Sequence, residues 1–159
     1  MSKFLWQNFF KKSTDAHEIV TNYWALTPLF NNIPKSQITE LVSKMHWRHF
    51  DKGEAIFHLG DQGAGAIMIQ YGKVEISCNK VKLAQLTNGD FFGEVALAQT
   101  DKRTADAVAI EDTELVYLLK QDVEEWLNIE PEHAAQFLKN LSEVLALRLQ
   151  KMNTSLNIA

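Results

Sequence analysis

The segment FFGEVALAQTDKRTADAV, residues 91–108, places an acid, Glu94, and a base, Arg103, nine positions apart among mostly apolar or small neighbours. Desolvating an unpaired charge costs roughly several kcal/mol, so each of the two needs a partner. Either they neutralise each other or a ligand stands between them. Local chemistry suits a ligand. Gly93 follows the turn Asn88-Gly89-Asp90 and permits close backbone approach, and the residues after it can form a helical turn whose first amides have no internal acceptor. Those amides suit a phosphate, and Arg103 can close the other side with a bidentate fork. Glu94 cannot face a phosphate, but it can accept a hydrogen bond from a sugar hydroxyl. A ligand carrying a sugar hydroxyl beside a compact phosphate satisfies both residues.

Three blocks of chain must position this pair. Helical signals fill the first fifty residues: an aromatic stripe (Phe4, Leu5, Trp6, Phe9, Phe10), then STDAHEIVTNYW with a Ser/Thr cap at 13–14, then IPKSQITELVSKM with Pro34 at a first helical turn. In the last of these Ile38, Leu41, Val42 and Met45 recur at helical spacing and predict one buried face. From Lys52 the pattern changes. All seven glycines fall between Gly53 and Gly93, separating the strand-like runs EAIFHL, AIMIQY, KVEISC and VKLAQL, and TADAVAI and ELVYLL follow Arg103. The end is helical again: QDVEEWL, then a long helix opened by Pro131. Along it Ala134, Leu138, Leu141, Leu145, Leu149, Met152 and Leu156 form an apolar stripe, which Phe137, Val144 and Leu147 widen.

With these motifs in view, the chain resembles a cyclic nucleotide-binding domain of the catabolite activator type. The resemblance runs from about Trp24 to Met152 through TPLFNNIP, KGEAIFHLGDQG, IQYGKVEI, LTNGDFFGEVAL, KRTA and ELVYLLKQDVEEWL. Its most specific part is the phosphate-binding cassette FGEVALAQTDKRTA. The resemblance implies that Glu94 binds the ribose 2′-hydroxyl and Arg103 the cyclic phosphate. The amides around Phe92, Gly93, Glu94, Val95 and Ala96 complete the phosphate site, and Thr104 lies beside phosphate and base. It further implies that the last helix closes as a lid, with Leu138, Leu141 and Leu145 as the expected contacts, or forms a dimer seam. Lys102, Ala98 and Asp106 depart from the family pattern, and none of them removes a ligand group.

The expected fold is therefore mainly β with flanking helices: an antiparallel β-roll or jelly-roll barrel, ending in a long C-terminal helix. Residues 1–23 form a helical extension and 24–159 the domain, with the roll at about 48–120 and C-terminal helices at about 121–156. The expected ligand is cAMP, with cGMP as the alternative, and no prosthetic group is expected. The net charge of −4 argues against nucleic acid as a partner. The lone cysteine, Cys78, fits a reducing, cytoplasmic setting. The expected partners are an unidentified effector protein and a second copy through the C-terminal helix, since no helix-turn-helix or effector domain follows. The N-terminal aromatic segment is expected to dock on protein rather than on a membrane surface.

Rival readings have weaker support. His46 and His49, in HWRH at the end of the predicted helix, lack the strand alternation and nearby carboxylate that a metal-binding cupin needs, and His58 stands apart. No serine, cysteine or lysine has a nucleophile's surroundings, so an enzyme is not expected. A structural or assembly subunit that keeps the fold without sensing a ligand is the alternative function.

Overall fold

Proline, glycine and period-two apolar runs divide the chain into elements that a computed structural model describes for residues 15–99 and 102–155. Helix α1 covers 15–25. A 3₁₀ turn at Pro28–Phe30 leads to α2 (Lys35–Lys44), which begins directly after Pro34. Eight strands follow: β1 (His46–Phe50), β2 (Ala55–Phe57), β3 (Gly65–Tyr71), β4 (Val74–Cys78), β5 (Val81–Leu86), β6 (Phe91–Phe92), β7 (Asp106–Ala109) and β8 (Thr113–Leu119). The short helix α3 (Val95–Ala98) lies between β6 and β7, and α4 (Lys120–Ile129) and α5 (Pro131–Ser155) close the described chain. All pairings between strands are antiparallel, in two four-stranded sheets ordered β1-β8-β3-β6 and β2-β7-β4-β5. The expected roll is present, flanked by helices.

Strand periodicity decides where the core sits. Successive side chains of a strand point to opposite faces. On β3, Ile67 and Ile69 join Phe50, Val74, Phe92, Ala107, Ala109 and Leu115 between the sheets, while Ala66 and Met68 turn toward the helices. On β8, Leu115 lies on the inner side and Val116 and Leu118 on the helical side. These central strands are covered on both faces, which is why they read as nearly continuous apolar runs. The helical layer holds Val20, Trp24, Phe30, Leu41, Val123, Trp126 and Phe137, with Phe30 and Phe137 rings 5.1 Å apart. Full burial of each such side chain contributes about 1.5–3 kcal/mol. Helix α1 runs through the boundary placed at residue 24, and both Val20 and Trp24 are in that core.

Two expectations are corrected. HWRH is not the end of a helix: α2 stops at Lys44, and His46–Phe50 pairs residue by residue with β8, from His46 opposite Tyr117 to Phe50 opposite Thr113. The ladder wins because Met45, already extended, leaves the chain at the edge of the sheet. The burial on α5 is also centred differently, with the widening residues Phe137 and Val144 inside and part of the stripe outside. The buried residues are Ala134, Phe137, Asn140, Leu141 and Val144, whereas Leu138, Leu149 and Met152 are exposed. Asn140 is the polar member of that set. Its Nδ2 donates to the carbonyls of Leu29 (2.9 Å) and Asn31 (2.8 Å), and its Oδ1 accepts from Gln136, so this polar residue faces inward. The N-terminal aromatic stripe, the cap at 13–14 and Leu156 lie outside the described residues.

Candidate functional site

The cassette begins where β6 ends. Phe92 is buried between the sheets, and Gly93 then turns the chain at φ +74°, a conformation that side-chain-bearing residues seldom adopt. A Cβ on Gly93 would also fall on the Arg103 guanidinium, which would have to move aside. The turn continues into α3, where Ala96 N donates to the Gly93 carbonyl at 3.2 Å and Leu97 N to that of Glu94 at 3.0 Å. The amides of Glu94 and Val95 stand at the start of this turn, where no internal acceptor is available. The Ala96 amide, grouped with them from sequence, is engaged within the turn. Leu97 points the other way, into the helical core with Val123 and Phe137, so α3 links the cassette to the helices.

Arg103 arrives from the opposite side. Its Nη2 donates to the Gly65 carbonyl at 3.2 Å and its Nη1 to that of Gly93 at 3.4 Å, and its Cζ lies 4.5 Å from the Phe57 ring centroid. Gly65 itself has no room for a Cβ, which would meet the Leu118 carbonyl across the ladder. Burial pushes the Arg103 pKa down from its usual value, opposed by the fields of Tyr117 and Glu94. Two carbonyls and a ring thus hold a half-buried guanidinium that, among the described residues, has no carboxylate in contact.

Glu94 is 1% exposed, and its ion-pair partner is Arg148 of α5, not Arg103. The Arg148 guanidinium contacts Oε1, and both carboxylate oxygens are buried. Arg148 also lies over the Phe91 ring, 5.9 Å from its centroid. Together these residues line a cavity of about 450 Å³. Phe92, Gly93, Glu94, Val95, Ala96, Arg103 and Thr104 all border it, and Ile76, Leu83, Ala84 and Leu86 give it an apolar wall. The volume falls within the range of small-molecule sites, about 300–1,000 Å³.

The three leucines expected as a lid are not among the lining residues. Leu141 is buried in the helical core, Leu145 packs at its edge, and Leu138 is 37% exposed. Arg148, on the inward phase of α5, is the residue from this helix that reaches the cavity. Sequence reasoning missed it, although it lies four residues beyond Val144 and seven beyond Leu141 on the same face.

The family model described as "Cyclic nucleotide-binding domain" matches residues 47–130, more than half of the chain and all of the cassette. The chain belongs to the cyclic nucleotide-binding domain family. It is 31% identical over 137 residues to the cyclic AMP receptor protein of Thermus thermophilus, covering 83% of this chain and 62% of that relative. It is 27% identical over 115 residues to human cGMP-dependent protein kinase 2, covering 68% of this chain but 15% of the kinase. Among solved structures, the N-terminal domain of a transcriptional regulator from Streptomyces coelicolor superposes with a TM-score of 0.72 at 30% identity, covering 82% of this chain and 91% of that one. The chain therefore spans under two thirds of the receptor and a small part of the kinase. Arg148 lies beyond the segment that the family model matches.

Among the described residues, no helix is long and apolar enough to cross a membrane, and no group of three or more His, Cys, Asp or Glu is placed to hold a metal ion.

Proposed function

We propose that this cyclic nucleotide-binding domain is a sensor that binds cAMP, with cGMP as the alternative, and passes its occupancy to a partner protein. One observation carries this reading: a cavity of nucleotide size is bordered at once by the buried Glu94 carboxylate and by the half-buried Arg103 guanidinium, which are not paired with each other. In this reading Arg103 and the first amides of α3 bind the cyclic phosphate, Glu94 accepts from the ribose hydroxyl, and the apolar wall takes the base. Thr104 is the hydroxyl nearest to discriminating one base from the other.

The proposed output is mechanical, and no catalysis is assigned. Phosphate binding draws α3 toward Arg103, and Leu97 carries that shift into the layer formed with α4 and α5. Ligand contact at Glu94 changes what Arg148 meets, so the tip of α5 responds as well. Such a device signals only if the ligand prefers one helix arrangement over another. The exposed Leu147, Leu149 and Met152 support a contact of α5 with a second copy or with the effector.

Isothermal titration with cAMP and with cGMP tests the reading. Saturable heat with at least one is expected, and Arg103→Ala should weaken it by about a hundredfold or more, the loss of a bidentate charged contact. Silence with both nucleotides at high micromolar concentration would favour the non-sensing assembly subunit. Unchanged affinity in the Arg103 variant would place the ligand elsewhere.

A further inference from the structure

Asp106 opens β7 as a charged residue ahead of an apolar strand, three positions after Arg103, and it does not line the cavity. Its hydrogen bonds explain its presence. The main chain of Arg103 is gripped on both sides by the turn at 58–61: its N–H donates to the Asp61 carbonyl at 2.7 Å, and its carbonyl accepts from the Gly60 amide at 2.8 Å. This turn follows Phe57 directly, and the Phe57 ring supports the guanidinium. Whatever holds the turn therefore holds both the backbone of Arg103 and the aromatic surface under its side chain.

Two carboxylates hold it. Asp61 Oδ2 accepts from the His58 amide at 2.7 Å, a bond local to the turn. Asp106 Oδ1 accepts from the Leu59 amide at 2.8 Å and lies 3.6 Å from His58 Nδ1, tying the turn to β7. The segment 103–106 is thus fastened to the turn at both ends, by Arg103 through its backbone and by Asp106 through its side chain. Backbone pairing flanks the turn, with Phe57 opposite Ala107 on one side and Gln62 opposite Lys102 on the other, and Asp106 supplies the side-chain tie to the turn itself.

We infer that Asp106 is a positioning residue for Arg103: it touches no ligand, and it aims the guanidinium by fixing the turn that grips the Arg103 backbone. Its effect on affinity rests on the reading of Arg103 as the phosphate ligand. Its effect on the backbone does not. A small displacement of a directional contact costs binding out of proportion to the bond removed.

The test compares the full chain with Asp106→Ala and Asp106→Asn by amide hydrogen exchange and by titration with cAMP and cGMP. Alanine should speed exchange at Leu59 and Arg103 by about tenfold and weaken nucleotide binding by about tenfold. Asparagine keeps a carbonyl oxygen that can accept from Leu59, and it should restore both to within about threefold of wild type. If the alanine protein misfolds, Asp106→Val, suited to a strand, repeats the measurement. Exchange at Arg103 unchanged by either apolar variant overturns the inference. So does faster exchange spread evenly over β3 and β8, which marks general destabilisation, or failure of asparagine to rescue. If the wild-type protein binds neither nucleotide, the sensor reading falls, and the exchange arm still decides whether Asp106 holds Arg103.

Discussion

Arg148, near the end of α5, sets its guanidinium on the carboxylate of Glu94, at the start of the cassette helix. The two partners are unequal: the Glu94 side chain is 1% exposed and that of Arg148 is 49% exposed. The acid is fixed in the wall of the cavity and the base reaches in from solvent, over the ring of Phe91. Such a contact joins the cavity wall to the last turns of α5 without burying both charges, and its worth lies between that of a surface pair and a buried one.

Removing Arg148 leaves a buried carboxylate without its counter-charge. Arg148→Ala should lower unfolding free energy by about 1–2 kcal/mol, discounted from the full buried-pair cost because the arginine is half in water. Adding Glu94→Gln removes the stranded charge, so the double variant should be more stable than Arg148→Ala alone. Urea unfolding of the four proteins measures the coupling, and strict additivity would show that the contact contributes nothing.

Gly93→Ala meets two obstacles. The backbone at φ +74° disfavours alanine, and the new methyl would occupy the place of Arg103 Nη1. Stability should fall by about 1–2 kcal/mol. The displaced guanidinium should also cut cAMP or cGMP affinity by about tenfold or more. Thermal melting and titration separate the two effects.

Asn140→Leu keeps the branching of the side chain but strips the carbonyls of Leu29 and Asn31 of their donor. A loss of about 2–3 kcal/mol is expected, since unmade buried hydrogen bonds cost more than made ones contribute. Chemical denaturation should show it. A variant as stable as wild type would mean that water reaches those carbonyls.

His49 supplies a pH dependence at the edge of the sheet. The Glu114 carboxylate, hydrogen-bonded at 2.8 Å, raises the imidazole pKa above 6.5; desolvation opposes the shift, and Asp51 adds to it. A group raised on folding contributes stability that is complete below its unfolded value and lost as pH rises through its folded one. The melting temperature should therefore drift downward from pH 6 to pH 8, and His49→Gln should flatten that drift. An identical slope in the variant would assign the drift to another group.

Much of the cassette was legible because its determinants are local. Gly93, Glu94 and the turn of α3 are adjacent in sequence, Arg103 follows within one loop, and the glycine turns bound the strands around them. What was not legible depends on contacts between distant segments. HWRH has no strand alternation strong enough to outweigh the helix before it, and only the ladder with β8 decides its conformation. On α5 the pattern took in Ala134, Phe137, Leu141 and Val144 but passed over Asn140, because a hydrophobic pattern treats asparagine as surface, whereas the carbonyls of Leu29 and Asn31 make it core. Arg148, four residues beyond Val144 and seven beyond Leu141, was passed over because a charged residue does not register in a hydrophobic pattern.

The same helix is also a ruler. Asn140 anchors one mark and Arg148 the other, eight residues and about 12 Å along a helix that rises about 1.5 Å per residue. Each added or deleted residue between them rotates the far mark by about 100°. Length changes there are tolerable only in near-whole turns, so this stretch of α5 measures the distance between the helical layer and the cavity.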